Sequence, residues 1–216
     1  MSTTESRPAT VRSVGVGRAV SALRTLIEMG AGSRPPEALD PLLDATVRAV
    51  AAHGFVRTSM SDLARELGVT RKTLYRQVSS VEQAILLVVE RSTYAFLDDV
   101  SSSLSAGKGP EQVLLESGGR WVSGWQEHPF TRRLLEHEPE VLGSLFTTGL
   151  IVEGVQRIAD RLAPMMPLIA PGPIQENGDS RRRAEWLVRT LVSLIMLPTD
   201  DDLDAVVTLA IAPILR

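Results

Sequence analysis

Three helix-start signals crowd into residues 58–83, and that spacing limits the fold more than any other feature of the chain. Thr58, Thr70 and Ser80 each stand just before a short run with helical spacing. Their hydroxyls suit the free N–H groups of a first helical turn. Ser80 with Gln83 also forms a capping-box pattern. Gly68 lies between the first two starts, where a chain reversing direction needs a positive φ. The predicted helices cover 59–67, 71–77 and 81–100. Links this short allow only compact packing of helix on helix.

The rest of the chain follows the same pattern. Asp40 and Pro41 open a helix that carries Leu43, Val47 and Val50 on one stripe, and Gly54 closes it in a left-handed conformation. Pro129, Pro139, Pro164 and Pro198 sit at the ends of later predicted helices over 111–127, 130–137, 140–163, 180–197 and 201–214. Aromatics are only 4% of the chain, so Leu, Val, Ile and Ala must form most of the core. No alternation fits a strand, and the expected fold class is all-α. Residues 1–37 read as an extension, with a polar tail and a helix over 14–30. Residues 38–99 read as a three-helix head with a helix-turn-helix. The polar run from Ser101 to Pro110 separates that head from a helical body over 100–216. The loop from Pro164 to Asp179 is rich in Pro and Gly.

Charge divides along the same line. Residues 1–80 carry 11 Lys and Arg against 7 Asp and Glu, while 81–216 carry 12 against 19. A basic head on an acidic body directs one end toward phosphate. Within the run TSMSDLARELGVTRKTLYRQV, residues 58–78, Ala64 permits a close helix crossing. Leu63, Leu67, Val69 and Leu74 lock two helices together. The second helix then turns Arg71, Lys72, Thr73, Tyr75, Arg76 and Gln77 toward solvent, and no carboxylate occurs from 67 through 81. A short donor-rich helix of this kind fits the major groove. Arg71 or Lys72 matches guanine edges and Gln77 matches adenine. Tyr75 and Arg76 suit the backbone, and Thr70 presents free N–H groups to phosphate. With Thr58, these are the candidate DNA-binding residues.

From Leu39 to Phe96 the chain resembles the DNA-binding domain of TetR/AcrR-type regulators. The resemblance rests on HGF (53–55), on the run 58–78, and on SSVEQAI (79–85) opening a long helix. It implies a homodimer, a recognition helix within 71–77, and an all-helical C-terminal domain that senses a small molecule. Two positions depart from the family pattern. Val78 replaces a usual aromatic, and Val81 stands where a phosphate-touching lysine is common. Both point to weaker DNA affinity and a shallower salt dependence.

In the body, Trp121 and Trp125 lie one helical turn apart. With Tyr94, Phe96, Phe130 and Met165 they are the candidate lining of an apolar pocket, which the resemblance implies. The two apolar helices joined at Pro198 suit a four-helix bundle between two subunits, and a two-fold protein matches a palindromic operator. His53, His128 and His137 have no metal-ligand spacing, there is no cysteine, and no catalytic motif or cofactor fingerprint occurs. With no signal peptide and no membrane-length apolar run, the expected location is cytoplasmic. The expectation is a double-stranded-DNA-binding repressor released by a small apolar ligand. The alternative is a helical ligand-carrier or interaction protein with weak or lost DNA binding.

Overall fold

The computed structural model describes residues 34–169 and 179–212. Among them only helices and turns occur, so the fold is all-α. The helix expected over 14–30 and the basic arm before it lie outside the described residues. Contacts group the chain into two units that interleave along the sequence. The first holds the residues up to Glu90 together with Arg133–Leu150, and the second holds Arg91–Arg132 and Ile151 onward. This grouping is not the linear division expected near residue 100. The polar run 101–105 stays helical, and the change of partners falls in mid-helix.

In the first unit, a 3₁₀ turn at Glu37–Leu39 leads into α1, Asp40–His53. Asp40 is the first helical residue rather than the cap. The cap position is Leu39, which makes no side-chain cap bond. Leu42, Leu43, Ala45, Ala49 and Val50 are buried. Gly54 closes α1 at φ +89° and ψ 165°, a positive φ outside the left-handed helical basin that the sequence predicts. Next come α2, Met60–Leu67, α3, Arg71–Tyr75, and the long α4, Val81–Ser105. The unit also contains a π-helical turn, Arg133–His137, and α7, Pro139–Thr147. Leu134, Val141 and Leu150 form a small cluster there, with Phe55 and Val56 packed against it.

In the second unit, α5 spans Pro110–Glu127 and α6 spans Pro129–Arg132. They are followed by α8, Leu150–Leu162, α9, Met166–Ile169, α10, Asp179–Met196, and α11, Leu203–Ile211. Leu187, Leu191 and Ile195 of α10 join Val207 and Ile211 of α11 and Val113, Leu114 and Val122 of α5 in one core. Each such side chain contributes roughly 1.5–3 kcal/mol on burial.

The helix limits differ from expectation where a glycine decides them. α4 runs to Ser105 because its stop is Gly107, at φ +77°, with Lys108 N–H bonded to Ser103 O at 3.2 Å. The helix expected over 140–163 breaks at Gly149, φ +80°, into α7 and α8. The expected helix 130–137 is α6 plus the π turn. Residues 163–169, expected in a loop, form a 3₁₀ turn and α9, while 170–178 lie outside the described residues.

Candidate functional site

The helix-turn-helix is built as its sequence requires, with two corrections to its caps. Ser59, not Thr58, caps α2. Its hydroxyl accepts from Asp62 N–H at 3.3 Å, and the Asp62 carboxylate accepts from Ser59 N–H at 2.9 Å. The Ser59 bonds hold the Asp62 carboxyl below the usual range. Thr58 is buried instead, with its hydroxyl donating toward Gly54 O at 2.7 Å, so it is not part of the exposed face. At the start of α4, Ser80 Oγ accepts from Gln83 N–H at 3.1 Å, but Gln83 answers Ser79 rather than Ser80, at 2.7 Å from its N–H.

Between α2 and α3, Gly68 sits at φ +73° and ψ 28°. Its N–H bonds to Arg65 O at 3.2 Å and that of Val69 to Ala64 O at 3.0 Å, the paired ending that a left-handed residue makes possible. No described atom lies within 4 Å of where a Cβ would stand, so backbone conformation alone demands glycine here. Leu63, Ala64 and Leu74 are buried, whereas Leu67 and Val69 are half-buried. Thr70 caps α3 through a bond from Thr73 N–H at 3.2 Å.

The helical part of the expected 71–77 ends at Tyr75, and Arg76 and Gln77 continue as a turn. Thr70, Arg71, Lys72, Thr73, Tyr75, Arg76 and Gln77 are all exposed, and Leu74 alone points inward. Arg71 lies over the Tyr75 ring, 5.9 Å from its centroid. Val78 and Val81 are both buried, so at these positions the chain has core contacts where the family pattern has an aromatic and a lysine.

The second unit holds a cleft of about 310 Å³ between α4 and α5. Phe96, Trp121 and Trp125 line it as expected, while Tyr94, Phe130 and Met165 are not among its lining residues. Tyr94 lies under the Arg161 guanidinium, 5.0 Å away, Phe130 is buried edge-on to His128, and Met165 packs on the core. Phe96 and Trp121 stack with centroids 5.0 Å apart.

Sequence reasoning missed the polar part of this wall. Asp99 and Arg120 pair across it at 2.7 Å, and Arg120 also lies 3.8 Å from Glu116. Glu116 is further bound by Lys108, whose hydrogen bond is the main reason its carboxyl lies below the usual range. His128, read from sequence as a surface or helix-end residue, packs 4.7 Å from Trp125. Burial, with the Arg91 charge adding to it, pushes the His128 ring pKa down to about 4. Among the described residues there is no cluster fit to hold a metal ion, and no helix is long and apolar enough to cross a membrane.

Residues 42–82 match the family model described as bacterial regulatory proteins, tetR family. The chain is 30% identical over 193 residues to the HTH-type transcriptional regulator BetI of Agrobacterium fabrum, covering 69% of this chain and 94% of the relative. It belongs to the TetR family of transcriptional regulators. An uncharacterised HTH-type transcriptional regulator of Mycobacterium tuberculosis is 29% identical over 172 residues, covering 77% of this chain and 79% of that one. The solved TetR-family repressor AlkX from Dietzia sp., implicated in biodegradation of n-alkanes, superposes with a TM-score of 0.61 at 23% identity, covering 85% of this chain and 97% of that one. That likeness extends to the fold of the TetR-family regulator as a whole.

Within the head of this TetR-family chain, one charged group ties two distant segments together. Glu138 is buried and accepts from Phe55 N–H at 2.8 Å. Its carboxylate also lies 3.4 Å from Arg133 Nε, on the π turn. A Cβ at Gly54 would stand 2.7 Å from the same carboxylate, so glycine there serves a close approach as well as its φ. The HGF corner is thus seated on the segment 133–138.

Proposed function

We propose that this regulator is a dimeric repressor that reads a palindromic operator with residues 70–77 and leaves it when a small, mostly apolar molecule enters the second unit. The observation that carries the DNA-reading part is the face of α3 and the turn after it. Seven polar or aromatic side chains are exposed around the one buried leucine, with three cations and no carboxylate among them. Arg71 and Lys72, at the N-terminal end of α3, suit base edges, and Tyr75 and Arg76 suit phosphate.

The dimer reading draws on α10 and α11. Trp186, Leu197 and Leu209 are exposed, the last two at 74% and 78%, on the helices expected to form an intersubunit bundle. A two-fold pair of heads suits two half-sites one DNA turn apart. The release reading draws on the aromatic cleft and on α4, which belongs to both units. A ligand that favours one spacing of the two heads shifts the population toward it.

The test is a mobility shift on an operator found by genomic footprinting. Replacing Arg71 and Tyr75 by alanine should abolish the shift while leaving the helical circular dichroism unchanged. An unaltered shift would favour the carrier reading. Sedimentation of Leu209→Glu should give monomers where the parent gives dimers, and dimers of that variant would refute the bundle.

A further inference from the structure

The polar atoms around the cleft define what kind of molecule it takes. Its charges are already matched. Asp99 holds Arg120 through two bonds, from Nε at 3.2 Å and Nη2 at 2.7 Å. A ligand carboxylate would bring a third anion to a guanidinium that Asp99 and Glu116 already share. A ligand cation would compete with Arg120 for Asp99.

What the wall lacks is acceptors. Trp121 Nε1–H and Ser117 Oγ are too buried for water to reach and, among the described residues, have no hydrogen-bond partner. Leaving a buried donor unpaired costs about 1–3 kcal/mol. His128 contributes a third donor. Its Nδ1 accepts from Phe130 N–H at 3.1 Å, so in the neutral ring the hydrogen resides on Nε2. The stacked pair Phe96 and Trp121, with Trp125, supplies flat apolar faces.

We propose that this cleft binds an uncharged planar molecule bearing a hydrogen-bond-accepting oxygen, of the aryl ketone or quinone class, with the oxygen taken by the Trp121 indole N–H and the Ser117 hydroxyl. This rests on the reading that the second unit carries the ligand, and it adds the ligand's chemistry. Because the two donor atoms are sealed, seating the oxygen requires the wall around them to part. Binding is therefore coupled to a shift between α4 and α5.

Calorimetric titration of the full chain with four matched probes tests this: 2-acetylnaphthalene, naphthalene, 2-naphthoate and 2-naphthylmethylammonium. The ketone should bind about tenfold tighter than each of the other three, the size expected of one net buried hydrogen bond. Trp121→Phe keeps a ring but removes the N–H, and it should bring ketone and naphthalene to similar affinity. Ser117→Ala, the milder change, should narrow the gap in the same direction. A charged probe outranking the ketone, a preference that survives both variants, or no binding by any probe would overturn the proposal. Operator release is measured separately. Ketone binding without release would refute the release mechanism and leave the cleft chemistry standing. Release by another molecule, with no ketone binding, would do the reverse.

Discussion

Replacing Glu138 by alanine should cost the head about 3–4 kcal/mol, the range for breaking a buried ion pair by removing one partner. The side chain is 4% exposed and that of Arg133 14%, so water can replace little of what is lost. The substitution removes the acceptor 2.8 Å from Phe55 N–H and leaves the Arg133 guanidinium without this carboxylate. In a chain of this size, each 1 kcal/mol lowers the melting temperature by roughly 2–4 °C, so the expected drop is roughly 6–12 °C. Glu138→Gln keeps an oxygen for the Phe55 N–H and should lose about half as much. Adding Arg133→Ala to Glu138→Ala should cost less than Arg133→Ala alone, with a coupling of at least about 1 kcal/mol. Urea unfolding at pH 7, followed by circular dichroism, reads all four proteins. A loss under about 1 kcal/mol for Glu138→Ala, or additive single effects, would refute the argument that this carboxylate seats the corner at Gly54.

Gly68→Ala should destabilise the head by about 1–2 kcal/mol in urea, the cost of a Cβ in the left-handed region, and a neutral result would mean the turn can relax. Arg76→Ala should weaken operator binding evenly across sequences and reduce the salt slope by about one unit, so a change in sequence preference would assign it to base reading instead. The His128 ring, neutral in the fold down to pH about 4, takes up a proton near 6.5 once unfolded. The unfolded chain therefore binds more protons between those values, and stability falls as pH drops from 6.5 toward 4. His128→Phe should flatten that part of the stability profile, and an unchanged slope would show that other groups set it.

The head was largely legible in the sequence because its determinants are local. Gly68, the Thr70 cap, and buried Leu63 and Leu74 act through spacings of a few residues, and they stand as read. The errors of one residue, Ser59 for Thr58 and Ser79 for Ser80, arose where two adjacent hydroxyls offered the same chemistry. The cleft was only half visible. The Trp121 and Trp125 spacing marks one face of a helix, whereas the Asp99–Arg120 pair depends on the packing of two helices. Met165 and Tyr94 failed as lining residues because neighbouring elements in sequence need not share a cavity. Glu138 could not have been found at all, since its partner Phe55 is 83 residues away.

The interleaving of the two units means that the DNA reader is not a removable cassette. The chain passes between units at residues 90–91, 132–133 and 150–151. A cut after Glu90 would free the recognition helix but leave its brace, Arg133 and Glu138, on the other fragment. Recombination that exchanges only the N-terminal stretch would deliver a reader lacking half its footing. Transplanting this specificity onto another effector body therefore takes two pieces of sequence, and those pieces should drift together over evolutionary time.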